Sequence, residues 1–539
     1  MSSTLYRHGV VHSPADPFAE ALLVENGVVA WLGSDDTADG LVAGVDEVVE
    51  LGGALVAPAF VDAHVHLLET ALAAAGLDLT GASLPAVLDA VAAVAARRGA
   101  GDRRVVHGTG WDEGAWPEGR APTRAELDAA GQGLPVYLAR VDVHSAVVSS
   151  ALADLAGLRD LPGWSQDGLV VGAAHHAARD VALAVDAQER TALYRDALRR
   201  AAAAGIVAVH EQSAPHVDTR DGLRELLTTT ADAASALPLV VGYRAEACVT
   251  VDDARALLAD LPGLTGIGGD LNVDGSLGSR TAALRHPYAD APGTSGTLHL
   301  TAEQIANHVT AVTRAGSQAG FHVIGDRALD ELLLGMRAAA DVEGSAAIAA
   351  AGHRVEHAEM VDAHSLAQIL LLGLRLSVQP AFDATWGGPG GMYAARLGQG
   401  RAAALNPFAD LAAAGVPLAL GSDTPVTPFD PWGGVRAASA HHQADQRISA
   451  RAAFRAATRG GWRLAGLDHS GAGELRVGAP AHLAVWQAEH LVVQASRTST
   501  WSADARAGSP LLPDLGPDEP APRCLRTVRA GVVLHDALG

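Results

Sequence analysis

Residues 60–68 read FVDAHVHLL, with His64 and His66 two positions apart in an otherwise apolar run. In a β-strand, residues i and i+2 share a face. Two imidazoles side by side on a buried face need a common partner, either a metal ion or a hydrogen-bond network. Working outward, similar apolar runs recur and several also end in a polar residue. They include GIVAVHEQ, IGGDLNVDG, GFHVIGD, HRVEHAEM, LRLSVQP and VPLALGSD, with RVVHGTGW between the first two histidines and the rest. Between several of them lie Ala-rich helical stretches such as TAEQIANHVTAVTRAG and DRALDELLLGMRAAAD. Alternating βα units predict a parallel sheet, and eight of them close a (β/α)8 barrel whose site lies where the strands end. PVYLARVDVHSAVV and PLVVGYRAEA also read as strands, so the count predicts an insertion or extra strands.

The two chain ends differ from this middle. Residues 1–55 read as short strands with a hairpin signal at Asn26-Gly27, and residues 466–539 read likewise. The expected organisation is a small β-sandwich built from 1–55 and 466–539, enclosing a barrel over 56–465. GGPGGM (387–392) and GSPLLPDLGPDEPAP (508–522) read as loops, the first as either a lid or a connector.

Composition narrows the function. Apolar residues make up 49% of 539 positions, enough for a large core. A net charge of −22 argues against nucleic acid, whose phosphates draw a basic surface. All 39 basic residues are arginine, which excludes a lysine Schiff base or carbamate. Cys248 and Cys524 have no metal-ligand spacing, and a reducing, cytoplasmic setting is expected. The start MSSTLYRHGVVHS lacks an apolar signal core, and no apolar run reaches membrane-spanning length.

The polar run ends are candidate ligands: His64 and His66, Asp270 with Asp274, His322, His357 and Asp423. Imidazole nitrogen and carboxylate oxygen are the donors that zinc and similar divalent ions take, and such an ion lowers the pKa of a bound water toward neutrality. Singly, each has a plainer reading: His322 as a satisfied core histidine, His357 paired with Glu356 or a carbonyl, Asp423 as a turn residue in GSDTP. Their shared position at run ends favours a metal site.

PAFVDAHVHLLE, GTGWDEGAWPEGRAPTRAELD, VDGSLGSRTAAL, FHVIGDRALDELL, RVEHAEMV, SVQPAF, LALGSDTPVTPFDPWGGV and GAGELRVGAPAHLAVW occur in this order along nearly the whole chain. In these stretches the chain resembles the amidohydrolase superfamily, in the amidohydrolase 3 branch that includes N-substituted formamide deformylase. The resemblance implies that His64 and His66 hold the more buried ion. It implies that His322 and His357, after the fifth and sixth strands, bind metal or surround the attacking water. Asp423, after the eighth, would orient that water and pass its proton to the leaving nitrogen, while His357 or His322 steadies the oxyanion. Many relatives bridge two ions with a carboxylated lysine. Here Asp270 stands at that place, in DLNVDG, so it either ligates through its shorter arm or is structural. One divalent ion, zinc by expectation, is favoured over two.

Weaker substrate-binding candidates are Arg280 as a carboxylate or carbonyl clamp or a loop-fixing ion pair, Trp111 as a pocket wall or core, and His144. His210 ranks lower. The expected function is metal-dependent hydrolysis of a non-peptide C–N bond in a small molecule, with no nucleic-acid or membrane partner; a homo-oligomer stays open. The alternatives are a deaminase or cyclic-amide hydrolase on the same scaffold, or a catalytically silent binding barrel.

Overall fold

The computed structural model describes residues 2–98, 104–493 and 509–538. Its centre is a parallel eight-stranded sheet. The strands, in chain order and in order around the sheet, are Phe60–Val65, Ile206–Ser213, Leu239–Arg244, Gly266–Ile267, Gln318–Val323, Arg354–His357, Arg375–Val378 and Leu418–Leu420. These are called barrel strands one to eight. The first and eighth meet through an isolated parallel bridge between Val65 and Thr424. Asp423 N donates to the His64 carbonyl at 2.8 Å, and His66 N to the Thr424 carbonyl at 3.1 Å. The carboxylate of Asp62 ties the same junction, accepting from Ser422 N at 2.9 Å and His64 N at 3.2 Å.

The strands are apolar on both faces because helices cover the outside and side chains fill the inside. Ala302–Arg314 and Asp326–Glu343 form two of these helices. The first opens with a capping box in which Thr301 and Gln304 each satisfy the other's backbone.

RVVHGTGW and PVYLAR are not barrel strands. They belong to a second five-stranded sheet inserted between barrel strands one and two, made of Leu77–Asp78, Val106–Trp111, Val136–Arg140, Ser145–Val148 and Leu169–Val171. PLVVGYR supplies barrel strand three instead. The fourth strand shrinks to Gly266–Ile267, which leaves Asp270 in the loop that follows.

At the chain ends, four N-terminal strands pair in the order Val28–Gly33, Ala21–Glu25, Ser3–Arg7, Glu47–Glu50. Asn26 and Gly27 join two of them, both with positive φ (49° and 81°), as a two-residue primed turn demands. A second sheet mixes the ends: Val10–Val11, Leu55–Pro58, Leu483–Gln487, Arg523–Arg529, Val532–Asp536. Leu22, Val24 and Val49 from one sheet share a core with Val56, Leu483 and Val528 from the other. The loop expected over 508–522 carries a short strand, Leu511–Pro513, paired with Leu491–Val493; Gly508 lies outside the described residues. Among the described residues no helix is long and apolar enough to cross a membrane.

Candidate metal centre

His64 and His66 leave the first barrel strand on its inner side, almost wholly buried. Asp423, in the turn after the eighth strand, closes on both: its Oδ1 lies 3.3 Å from His64 Nε2 and 3.4 Å from His66 Nε2. The two Nε2 atoms are 3.4 Å apart. Ligands bound tetrahedrally at zinc distances stand about 3.4 Å from one another. The triangle therefore already has the edge length a four-coordinate ion requires.

Asp270 enters the same cluster. Its Oδ2 is 3.6 Å from His66 Nε2, while Oδ1 is 3.9 Å from His64 Nε2, 3.1 Å from His322 Nδ1 and 3.6 Å from His357 Nε2. Its carboxylate thus faces four imidazoles, a placement open to both sequence readings of Asp270. Asp274 is structural: it accepts from the backbone N–H groups of Ala283, Ile324 and Gly325 at 2.8–3.0 Å. A Cβ on the neighbouring Gly275 would meet Thr281 Oγ1 at 2.3 Å, so only glycine fits there.

The imidazoles are aimed by their other nitrogens. His64 Nδ1–H donates to Glu356 Oε2 (2.8 Å), His357 Nδ1–H to Gln379 Oε1 (2.9 Å), and His322 Nε2–H to the Gly275 carbonyl (3.3 Å). Each ring thus turns a lone pair inward, the arrangement that fixes the tautomer of metal-binding histidines. Glu356 is therefore the partner of His64, while His357, for which the plainer reading offered Glu356 or a carbonyl, pairs with Gln379. Behind it stands Arg354, also fully buried. It forms an ion pair with both Glu356 oxygens, donates to the Ala63 carbonyl at 2.8 Å and lies 4.2 Å over the Tyr243 ring. His210 Nδ1 accepts from Arg354 at 3.0 Å, which makes it a support and not a ligand.

Burial opposes charge on all these groups. Against it, Asp423, Glu356 and Asp270 still hold the His64 pKa well above its ordinary value, and Asp270 lifts His322 up to about 9. Asp423 and Asp270 stay far below the usual carboxylate range despite burial, held down chiefly by His64 and His322 respectively. The cluster demands positive charge, and without a metal it takes protons. A divalent cation meets the same demand. The donor set, its spacing and its field all fit such an ion. His357 and Asp423 also adopt left-handed backbone (φ 67° and 55°), a costly conformation for non-glycine residues that concentrates at functional sites.

A pocket opens from the cluster. His144, His322, His357, Glu359, Phe382, Trp386, Tyr393 and Asp423 are among its walls. The His144 ring lies 5.0 Å from that of His322, and burial drives its pKa down to about 3, so it is a neutral imidazole. Trp386 and Met392, at either end of the GGPGGM segment, face the pocket. Trp111 and Arg280 do not line it. Trp111 is sealed inside the inserted unit, donating to the Leu138 carbonyl at 2.9 Å. The Arg280 guanidinium is held by Asp290 at 2.8 Å, as the loop-fixing reading has it. The residues that sequence reasoning missed are Glu356, Arg354, Gln379 and Glu359.

A family model described as the amidohydrolase family matches residues 47–535. The chain belongs to the amidohydrolase family. This amidohydrolase is 28% identical over 460 residues to Protein LONG AFTER FAR-RED 3 of Arabidopsis thaliana, covering 78% of this chain and 75% of that protein. It is 34% identical over 142 residues to N-substituted formamide deformylase of Arthrobacter pascens, 26% of each chain. Among solved structures, an uncharacterized metal-dependent hydrolase from Pyrococcus furiosus is similar at 27% identity and TM-score 0.68, over 90% of this chain and 98% of that one. Another from Pyrococcus horikoshii gives 26% and 0.70, over 90% and 97%. By family and likeness, this amidohydrolase is a metal-dependent hydrolase.

Proposed function

We propose that the protein hydrolyses an amide-type, non-peptide carbon–nitrogen bond in a small molecule, using a divalent ion, zinc by the nature of its nitrogen and oxygen donors. The observation that carries this is the near-equal approach of Asp423 Oδ1 to His64 and His66, at 3.3 and 3.4 Å, beside a pocket walled by His357. His64, His66 and Asp423 would hold one tightly bound ion, with Asp270 turned toward His322 and His357 as the remaining donors. When bound, the ion supplies Lewis acidity and brings the pKa of a water near neutrality.

The chain's own residues do the rest. Asp423, held ionised by its histidine neighbours, is the carboxylate able to take the proton of the attacking water and deliver it to the departing nitrogen. His357, its Nδ1–H given to Gln379, turns the Nε2 lone pair toward the cluster and fits the role of a donor to the ion; charge on the substrate oxygen would be steadied by the ion itself. Phe382 and Trp386 exclude water around it. The partial match to a formamide deformylase supports an acyl amine as the substrate type.

The test is chelation followed by stoichiometric zinc, with a panel of N-formyl and N-acetyl amines, cyclic amides, amino-heterocycles and esters. Zinc-restored release of amine from the acyl amines is expected. Ammonia release from amino-heterocycles alone would instead mark a deaminase. Metal binding without turnover of any member would mark a silent barrel.

A further inference from the structure

Glu359 has no part in the metal cluster, yet it is 3% exposed and lines the pocket beside His357. Tyr393 stands beside its carboxyl group. Its Oε2 is buried with no hydrogen-bond partner among the described residues. A buried acceptor left unpaired is costly, and a charged one more so. A ligand group with a proton to give would meet it.

The surrounding charges say what. Arg140 is the arginine in the pocket wall, and its charge is more than met by Asp112 and Glu113 at 2.9 Å and Asp142 at 3.1 Å, although its Nη1 has no hydrogen-bond partner among the described residues. Arg396, behind it, is divided between Glu113 and Asp290 at 2.7 Å each. Asp142 is further engaged by the hydroxyls of Ser276 and Ser279. An anionic substrate tail would find no free cation and would face Glu359. A neutral tail would leave Oε2 without a counter-charge.

The aromatic lining agrees. Phe382 stacks on His357 with centroids 6.1 Å apart, Trp386 meets Phe382 edge-on at 5.1 Å, and Tyr393 lies 6.4 Å from Trp386. Ring faces beside a carboxylate suit an organic ammonium, drawn by both the ring quadrupoles and the anion. We propose that the pocket selects substrates bearing a positively charged amino group, which Glu359 receives against Phe382, Trp386 and Tyr393. This rests on the hydrolase reading for the word substrate, but the binding preference stands independently of turnover.

The experiment uses zinc-loaded protein and three series of acetamides of two to five methylenes: N-(ω-aminoalkyl)acetamides, N-alkylacetamides and ω-acetamidocarboxylates. Affinity is read by calorimetry and cleavage by amine release. The ammonium series should bind at least about tenfold tighter than the neutral one at its best length, the scale of one charge-assisted hydrogen bond. Glu359→Gln should abolish that difference with metal content unchanged, and Glu359→Asp should retain part of it. No preference among the series, a preference for the carboxylates, or an ammonium preference that survives Glu359→Gln overturns the proposal. Preferential binding of the ammonium series with no cleavage defeats the hydrolase reading alone. Cleavage of all three series at equal kcat/KM defeats the recognition proposal alone.

Discussion

Glu356→Gln probes the support beneath the metal cluster. The substitution keeps size and hydrogen-bonding oxygen but removes a charge that two groups depend on. His64 Nδ1 lies 2.8 Å from Glu356, and Arg354 is its fully buried ion partner. Removing one member of a buried pair costs about 3–5 kcal/mol. Arg354 keeps the Ala63 carbonyl and the Tyr243 ring, and the glutamine amide still accepts a bond, so the low end, about 3 kcal/mol, is expected for the metal-free protein. Partners that orient ligating histidines are worth about 10–100-fold in metal affinity, or roughly 1.4–2.7 kcal/mol. Urea unfolding of stripped protein reads the first quantity, and competition against a chromophoric chelator reads the second. The double variant Arg354→Met, Glu356→Leu separates them, because an apolar pair restores stability but not the aim of His64. A single variant within about 1 kcal/mol and twofold of the parent on both measures would refute the assignment of Glu356 as the anchor of the cluster.

Asp423→Asn should cut turnover by on the order of 10² or more, the scale of a lost general base, with a smaller loss of metal; near-normal turnover would move that role elsewhere. One tightly held ion per chain is expected by metal analysis, with no gain from bicarbonate, since the chain has no lysine to carboxylate. If a second, looser ion appears on loading, Asp270→Ala should remove it; two ions retained in that variant would exclude Asp270 as a bridge. Burial pushes His12, His107, His308 and His482 down to about 4 and His353 to about 3. Below pH 6.5 the unfolded chain takes protons that the folded one refuses. Each such histidine therefore lowers stability as pH drops from 6.5 toward 4, by up to about 1.4 kcal/mol per pH unit; Glu211, raised by burial to about 8, and Asp62 and Asp274, raised to about 6, work the other way, and the more numerous histidines set a net fall. A flat thermal midpoint over that range would contradict this.

The barrel and the cluster of histidines and carboxylates at its mouth were legible because both obey short periods. HVH places two imidazoles on one strand face, and run ends mark the mouth of a parallel barrel. The insertion misled the count because its strands Val106–Trp111 and Val136–Arg140 are themselves parallel and apolar. Trp111 looked like a pocket wall for the same reason: its Gly-rich neighbourhood imitates a barrel-strand end, yet the inserted core encloses it. Glu356 was hidden by proximity, since the adjacent His357 seemed its natural partner. The alternation in RVEH carried a signal: Arg354 and Glu356 share a face of a buried strand, and such charges must find each other or a ligand. Glu359 gave no sequence signal at all, because its importance comes from Arg140 and Arg396 being occupied, and those contacts join segments far apart in the chain.

The junction of the first and eighth barrel strands has a consequence for how the molecule is assembled. Ser422 and Asp62, bonded across it, stand 360 positions apart in sequence. His64 and Asp423 face each other over the same seam. No early fragment of the chain can assemble the His64–His66–Asp423 cluster, so under the proposed reading ion capture would report that the ring has closed from its first strand to its last. An ion held there would act as a clasp at the place where the cylinder would otherwise part. Chelation should therefore raise hydrogen exchange first at the amides of His66 and Asp423, ahead of those in barrel strands four to six.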